Sequence, residues 1–261
     1  MFVFAGFVIV RYLQRRSIAM LMWGIGLTMF AIGSFTEAYM AFGFNDLIFR
    51  LWYLCVAVLT AAWIGQGTVY LLLRRQWGNL TLGILILCSL VALVIVFATP
   101  LDASHFDPAR PVSEQYATRE LGPNDRATAG VSVVEIETQG RRVRVVPGVV
   151  PLGAPLRLTT PIFNIYGSIT LIGGALYSTY LFWRKRVMGN RVIGNILIAA
   201  GALSIAAAST LTRLGLGGFL YLGEFIAAVI MFAGFIVASR RVNDALERES
   251  AQTTVPAAQP A

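Results

Sequence analysis

One histidine, one lysine and two cysteines serve 261 residues, and each scarcity removes a class of chemistry. His105 lies in the long polar stretch, outside every apolar run. A membrane-embedded haem held by two histidines is therefore excluded within this chain. Ser/His or Glu/His hydrolysis within a membrane, and HExxH zinc chemistry, fail for the same want of an imidazole. His105 beside Asp102 and Asp107 offers too thin a ligand set for a metal, and loop surface is the plainer reading. The single lysine, Lys185, falls in a basic segment between apolar runs, so no retinal Schiff base forms inside a helical bundle. Cys55 and Cys88 both sit within apolar runs and the polar stretch has no cysteine, which leaves no disulfide framework and no CxxC motif. There is no GxxxxGK[ST] and no GxGxxG after a strand. No cofactor is expected.

Apolar length is what the chain has in quantity. It is 57% hydrophobic and 13% charged, against about half and a quarter in soluble domains, so this is membrane composition. A net charge of +8 would suggest nucleic acid in a soluble protein. Here the basic residues cluster between apolar runs, and no zinc-finger, RNP or basic-zipper pattern accompanies them. The expected partner is the lipid bilayer, and no nucleic-acid partner is expected.

A span needs about 20 apolar residues. Six runs qualify: 18–44, 51–73, 80–99, 161–183, 192–212 and 214–239. A seventh run within 1–13 is too short to cross. Arginines follow it rather than precede it, so it reads as a clipped first helix or a short re-entrant or interfacial piece, not a cleavable signal peptide. The expected fold is an all-α integral membrane protein, with six complete spans plus a short or truncated first helix, a seven-helix bundle. Its first transmembrane half is 1–99, its extracytoplasmic loop 100–160, its second half 161–241, and its cytoplasmic tail 242–261, disordered at the end. The basic clusters around Arg11–Arg16, Arg74–Arg75, Arg184–Arg191 and Arg240–Arg248 share one side, which the positive-inside rule places in the cytoplasm. The protein is thus expected in the plasma (cytoplasmic) membrane, multi-pass, with its C-terminus cytoplasmic.

The loop opens with the Pro-punctuated "TPLDASHFDPARPVSEQ", which reads as irregular. A hairpin is expected over 131–146. With Gln139-Gly140 as its turn, Glu137 meets Arg142, Ile136 meets Val143, Glu135 meets Arg144 and Val134 meets Val145. Charges then oppose charges on one face and aliphatics oppose aliphatics on the other. An isolated hairpin is marginal, so the apolar face must rest on the bundle or on a partner.

Glu37 stands alone in the run 18–44, and a charge at mid-membrane costs at least ~3 kcal/mol unless it faces the bundle interior. Ala19, Gly26, Gly33 and Ala41 share its side of the helix, and small residues let helices approach closely. Glu224 repeats the pattern in the last span, with Gly217, Ala227, Ala228 and Ala238. Both acids are expected about six residues from the loop-side ends of their spans, roughly 9 Å deep. Arg213, Arg50 and Asn164 lie at the same rim, so one polar cluster beneath the loop is expected. It is either a set of pairs that fixes helix register or an outward-facing pocket for a cation, a proton or a small polar ligand. Gln66, between Gly65 and Gly67, reads as a packing site with an interhelical hydrogen bond. Trp23, Trp77 and Trp183 at one side, with Trp52 and Tyr53 at the other, read as interface belts. No span carries an internal proline, though Gly173-Gly174 weakens the fifth.

The acid late in one helix, the short turn and then "RLWYLCVAVLTAAWIGQGTVYLLLRR", together residues 30–75, resemble the second and third helices of the seven-helix N-terminal sensor modules of bacterial histidine kinases and cyclases. The same start to a span is similar to that of uncharacterised small bacterial polytopic membrane proteins. The resemblance implies a stimulus-sensing or ligand-binding bundle. The chain departs from it in its long loop, and these 261 residues contain no kinase or cyclase. The expected function is a non-enzymatic, sensor-like or accessory protein that binds a small ligand or a membrane-protein partner from the extracytoplasmic side. The alternative is a secondary transporter or channel with Glu37 and Glu224 at a coupling-ion or substrate site. No motif supports an enzyme acting on lipid-linked substrates with Asp46 as base.

Overall fold

The computed structural model describes residues 1–237 apart from 109, 117, 123–130, 139–140, 152, 185–188 and 214–221. The expected hairpin turn Gln139-Gly140, Gly217, Ala238 and the tail 242–261 lie outside the described residues. Seven helices stand among those described: α1 (Phe2–Arg15), α2 (Ile18–Met40), α3 (Asp46–Leu72), α4 (Arg75–Ala98), α5 (156–184), α6 (Gly189–Arg213) and α7 (Leu222–Val237). By length and composition, α2, α3 and α4 are each sufficient to cross a membrane.

Local chemistry explains where these helices begin and end. Arg16, with φ 50°, turns the chain out of α1 and donates its amide to Tyr12 O at 2.7 Å. The run 18–44 stops being helical at Met40, because Gly43, with φ 144°, takes the chain through a conformation that disfavours side chains. Asn45 then caps α3 by accepting from the Ile48 amide at 3.1 Å, so that helix starts five residues before the apolar run at 51. Two wide π-helical segments interrupt the ladder, Tyr53–Leu59 in α3 and Ile169–Gly173 in α5. The second ends at the Gly173-Gly174 pair. Pro161 lies inside α5 rather than at its start, because the helix begins at Leu156.

Helices α2 and α3 form the most extensive pair, with α1 against α2 and α5 against α3. The α3–α5 contact is a backbone approach: a Cβ on Gly167 would lie 2.4 Å from the Ala61 carbonyl carbon. Along α4 only 22% of the apolar window is buried, against 44% in α2 and α3, so α4 flanks the bundle and exposes Leu87, Leu90 and Val94. Helix α1 buries Phe4, Ala5 and Val8 between α2 and α7, where Phe4 packs on Phe232 and Phe235 at 5.1 and 5.7 Å.

The segment between α4 and α5 is a folded cap rather than an irregular loop. It holds two short 3-10 turns and a three-stranded sheet of order β1 (Arg119–Glu120), β3 (Arg141–Val146), β2 (Val134–Thr138). The hairpin pairs Glu135 with Arg144, Glu137 with Arg142, Ile136 with Val143 and Val134 with Val145, the register required by charge and apolar alternation. Strand β1 adds Arg119 opposite Val146. The cap shares one core with the end of the bundle: Val112, Val149 and Val150 pack with Phe49, Trp52 and Tyr53. Phe106 stacks on Phe44 at 5.3 Å, and Tyr116 meets Tyr53 edge-on at 6.1 Å. On the hairpin, Val145 is buried while its partner Val134 is 43% exposed.

Candidate functional site

Glu37 and Glu224 come together at the capped end. Glu37 lies three residues before the end of α2 and buries one carboxylate oxygen. Glu224 is half-buried in α7 and lies within the electrostatic range of Glu37. Glu37 is shallower than six residues, because α2 ends at Met40, before its apolar run does. Small residues bring α2 against α3 and α7 against α6. A Cβ on Gly33 would overlap the Val56 side chain of the π segment, and one on Gly223 would come within 2.5 Å of Ala208 in α6. The nearby hydroxyls serve their own helix: Thr36 donates to Gly33 O at 2.8 Å and Ser34 to Phe30 O at 3.0 Å. Like charges sharing a low-dielectric site repel, which a proton or a cation relieves. Arg213 is the last residue of α6, and its side chain lies outside what the structure describes.

Arg50 is engaged elsewhere. Its Nε donates to Asp46 Oδ2 at 2.6 Å and its second terminal nitrogen to Asp46 Oδ1 at 3.1 Å. The other terminal nitrogen donates to Val96 O and, at 2.8 Å, to Thr99 O. A guanidinium at these carbonyls opposes the negative end of α4 and clamps that helix to α3. Asp46 is thereby bound as an ion-pair partner. Asn164 donates from α5 to Ala57 O at 2.9 Å, meeting a carbonyl of the π segment in α3.

Asn164 belongs to a polar seam along α3 and α5. Thr160 donates to Tyr53 Oη at 2.9 Å, and Tyr53 donates to Leu156 O at 3.3 Å. Further along, Gln66 is fully buried; it accepts from the Tyr166 hydroxyl and donates to Gly78 O at 2.9 Å and Thr81 Oγ1 at 3.0 Å. One amide thus joins α3, α4 and α5. Inside the cap, buried Gln115 donates to Asp107 O at 2.6 Å and Arg110 O at 3.1 Å, and accepts the Asp107 amide at 3.0 Å. Asp102 accepts from Ser104 Oγ at 2.6 Å and Ser104 N at 3.0 Å, and these bonds hold its carboxyl below the ordinary carboxylate range. His105 Nδ1 lies 3.6 Å from Asp102. Among the described residues, no three His, Cys, Asp or Glu side chains group to hold a metal, and both cysteines are free.

The aromatic belts divide. Trp77 and Trp183 are exposed at 58% and 71%, as belt residues are. Trp52 and Tyr53 are buried beneath the cap, and Trp23 buries its indole nitrogen among helices. An aromatic at the end of a span has the same sequence context whether lipid or protein covers it. Gln115 carried no signal in a segment read as irregular; Tyr53 and Tyr166 would have stood out only as polar tips on an α3–α5 contact. The chain matches no known family model, no curated protein and no solved structure.

Proposed function

We propose that the chain is a multi-pass plasma-membrane protein with six complete spans and a short first helix, its cap extracytoplasmic and its C-terminus cytoplasmic. In this reading it is a non-enzymatic, sensor-like or accessory protein that binds a ligand or a protein partner through the cap. One observation carries the reading: the cap and the start of α3 share a single core, so whatever grips the cap acts on Phe49, Trp52 and Tyr53. Behind them the α3–α5 seam continues from Tyr53 through Ala57 to Gln66. The test uses an antibody fragment against the hairpin as surrogate ligand, with the full chain in nanodiscs. Hydrogen exchange is expected to change at 60–72 as well as in the cap. A change confined to the cap overturns the coupling. Impermeant thiol labelling in intact cells, at cysteines placed at Glu135 and Trp77, is expected to modify only the first; the reverse pattern overturns the orientation.

The influence of the Glu37 charge on Glu224 favours a second reading, a transporter or channel whose acids hold a coupling ion. That reading expects a cation-specific rise in Tm that Glu37→Gln and Glu224→Gln abolish, together with gradient-driven uptake in liposomes. A Tm indifferent to cation identity removes it.

A further inference from the structure

The end of the bundle opposite the cap carries positive charge without negative among the described residues. Helix α1 passes to α2 through the two-residue link Arg16-Ser17, and α3 passes to α4 through Leu73-Arg74. Arg15, Arg16, Arg74 and Arg75 stand in or beside these links, and all four are exposed. The links are neighbours. A Cβ on Gly67 would come within 2.9 Å of the Ala19 carbonyl oxygen, which sets the last turns of α3 on the first turn of α2. A Cβ on Gly24 would lie 3.0 Å from the Ile9 side chain, which holds α1 against α2.

No acid answers these arginines among the described residues. Glu37, Asp46 and Glu224 lie at the capped end, the remaining described acids lie in the cap, and none of the four arginines forms an ion pair there. The first turns of α2 and α4, where carboxylates ordinarily sit, contain none. Four guanidinium groups gathered on one corner repel one another, and an anion relieves that repulsion.

The surroundings of the patch indicate which anion. Leu13, Leu71, Leu73 and Trp77 are each more than half exposed and lie within a turn of the arginines. A nucleic acid or an acidic soluble segment would meet the charge and leave these side chains uncovered. A lipid covers them with its chains while its headgroup meets the arginines. Arginine takes phosphate bidentately, and two arginine pairs on two adjoining links match two phosphates held in one headgroup. We propose that this corner binds a phospholipid with two phosphates in its headgroup, the chemistry of cardiolipin, one phosphate on Arg15 and Arg16 and the other on Arg74 and Arg75. The proposal rests on the membrane placement given above and not on which side is cytoplasmic.

The full chain in mild detergent is titrated with tetraoleoyl cardiolipin, dioleoyl phosphatidylglycerol or dioleoyl phosphatidylcholine, and the one-lipid complexes are read by native mass spectrometry. Cardiolipin is expected to bind at least about tenfold more tightly than phosphatidylglycerol at equal phosphate, and phosphatidylcholine more weakly still. Arg15→Gln with Arg16→Gln, and Arg74→Gln with Arg75→Gln, are each expected to weaken cardiolipin about twenty-five-fold, roughly fivefold per arginine. Arg141→Gln with Arg142→Gln removes the same charge from the cap and is expected to change nothing. Equal binding of cardiolipin and phosphatidylglycerol by the unmodified chain overturns the proposal. So does a cap variant that loses as much as the corner variants. Binding that emerges only when Asp244, Glu247 and Glu249 are neutralised assigns the patch to the chain's own tail and also overturns it. A chain that stays dispersed without detergent defeats the membrane placement itself.

Discussion

Replacing Gln66 with leucine removes three hydrogen bonds at one stroke and nearly conserves volume. The amide is fully buried and reaches Tyr166 on α5 and both Gly78 O and Thr81 on α4. Side-chain hydrogen bonds between membrane helices average ~0.6 kcal/mol, so the three together are worth about 2 kcal/mol. The half-buried Tyr166 hydroxyl loses that acceptor, which adds to the cost. Gln66→Leu is therefore expected to destabilise the bundle by ~2–3 kcal/mol, at least a thirtyfold shift in the folded-to-unfolded ratio. Tyr166→Phe alone should cost about 1 kcal/mol, and the double variant should cost less than the sum by about the same amount, since the second change removes the orphan created by the first. Reversible unfolding in mixed micelles, followed by circular dichroism across a dodecyl sulfate titration, measures all three. If Gln66→Leu falls within about 0.5 kcal/mol of the unmodified chain, or the two changes are additive, the amide is not the joint between α3, α4 and α5.

Arg50→Gln removes a guanidinium from the carbonyl end of α4 and is expected to cost ~2 kcal/mol, whereas Asp46→Asn touches a half-exposed partner and should cost under about 1 kcal/mol; detergent melts that reverse this order refute the clamp. Gly167→Ala drives a methyl onto the Ala61 backbone and should cost ~3 kcal/mol or more, while Gly83→Ala, which meets nothing within 4 Å, should be neutral or stabilise α4 by up to ~1 kcal/mol; equal melts for the two would dissolve the α3–α5 contact. Because Ser104 lowers the folded-state pKa of Asp102, that carboxylate's contribution is complete above the unfolded value of ~3.9 and is lost only as pH falls through the lower folded value. Amide protection at Ser104, corrected for intrinsic exchange, should stay level down to about pH 4 and fall below it; a loss centred near pH 6 would contradict the assignment.

Periodicity reveals what repeats, and the apolar runs and hairpin register repeat. Glu135–Arg144 and Glu137–Arg142 were readable because a slip of one residue would have set charge against aliphatic. The small-residue stripe beside Glu37 marked a close helix contact, which falls between α2 and α3, where Gly26 and Gly33 face Ile64 and Val56. Arg50 was not. Its partners are backbone carbonyls of Val96 and Thr99, which have no signature in side-chain identity. The cap was hidden for a related reason, since its order rests on Gln115 bonding to backbone groups eight and five residues away. The wide segment Tyr53–Leu59 left no trace either, because residues that favour an α-turn tolerate a π-turn.

That wide segment sets the aim of everything beyond it. In an α-helix each residue advances the side-chain direction by about 100°. Were Tyr53–Leu59 wound as ordinary α-helix, with Gln66 kept on Tyr166, Arg50 would swing round the axis by an angle of that order and leave the end of α4 unclamped. The extra width works as a phase adjuster, letting one rod answer to two sets of neighbours that a uniform pitch would put out of step. A single-residue deletion there should therefore disturb whichever end is held less firmly.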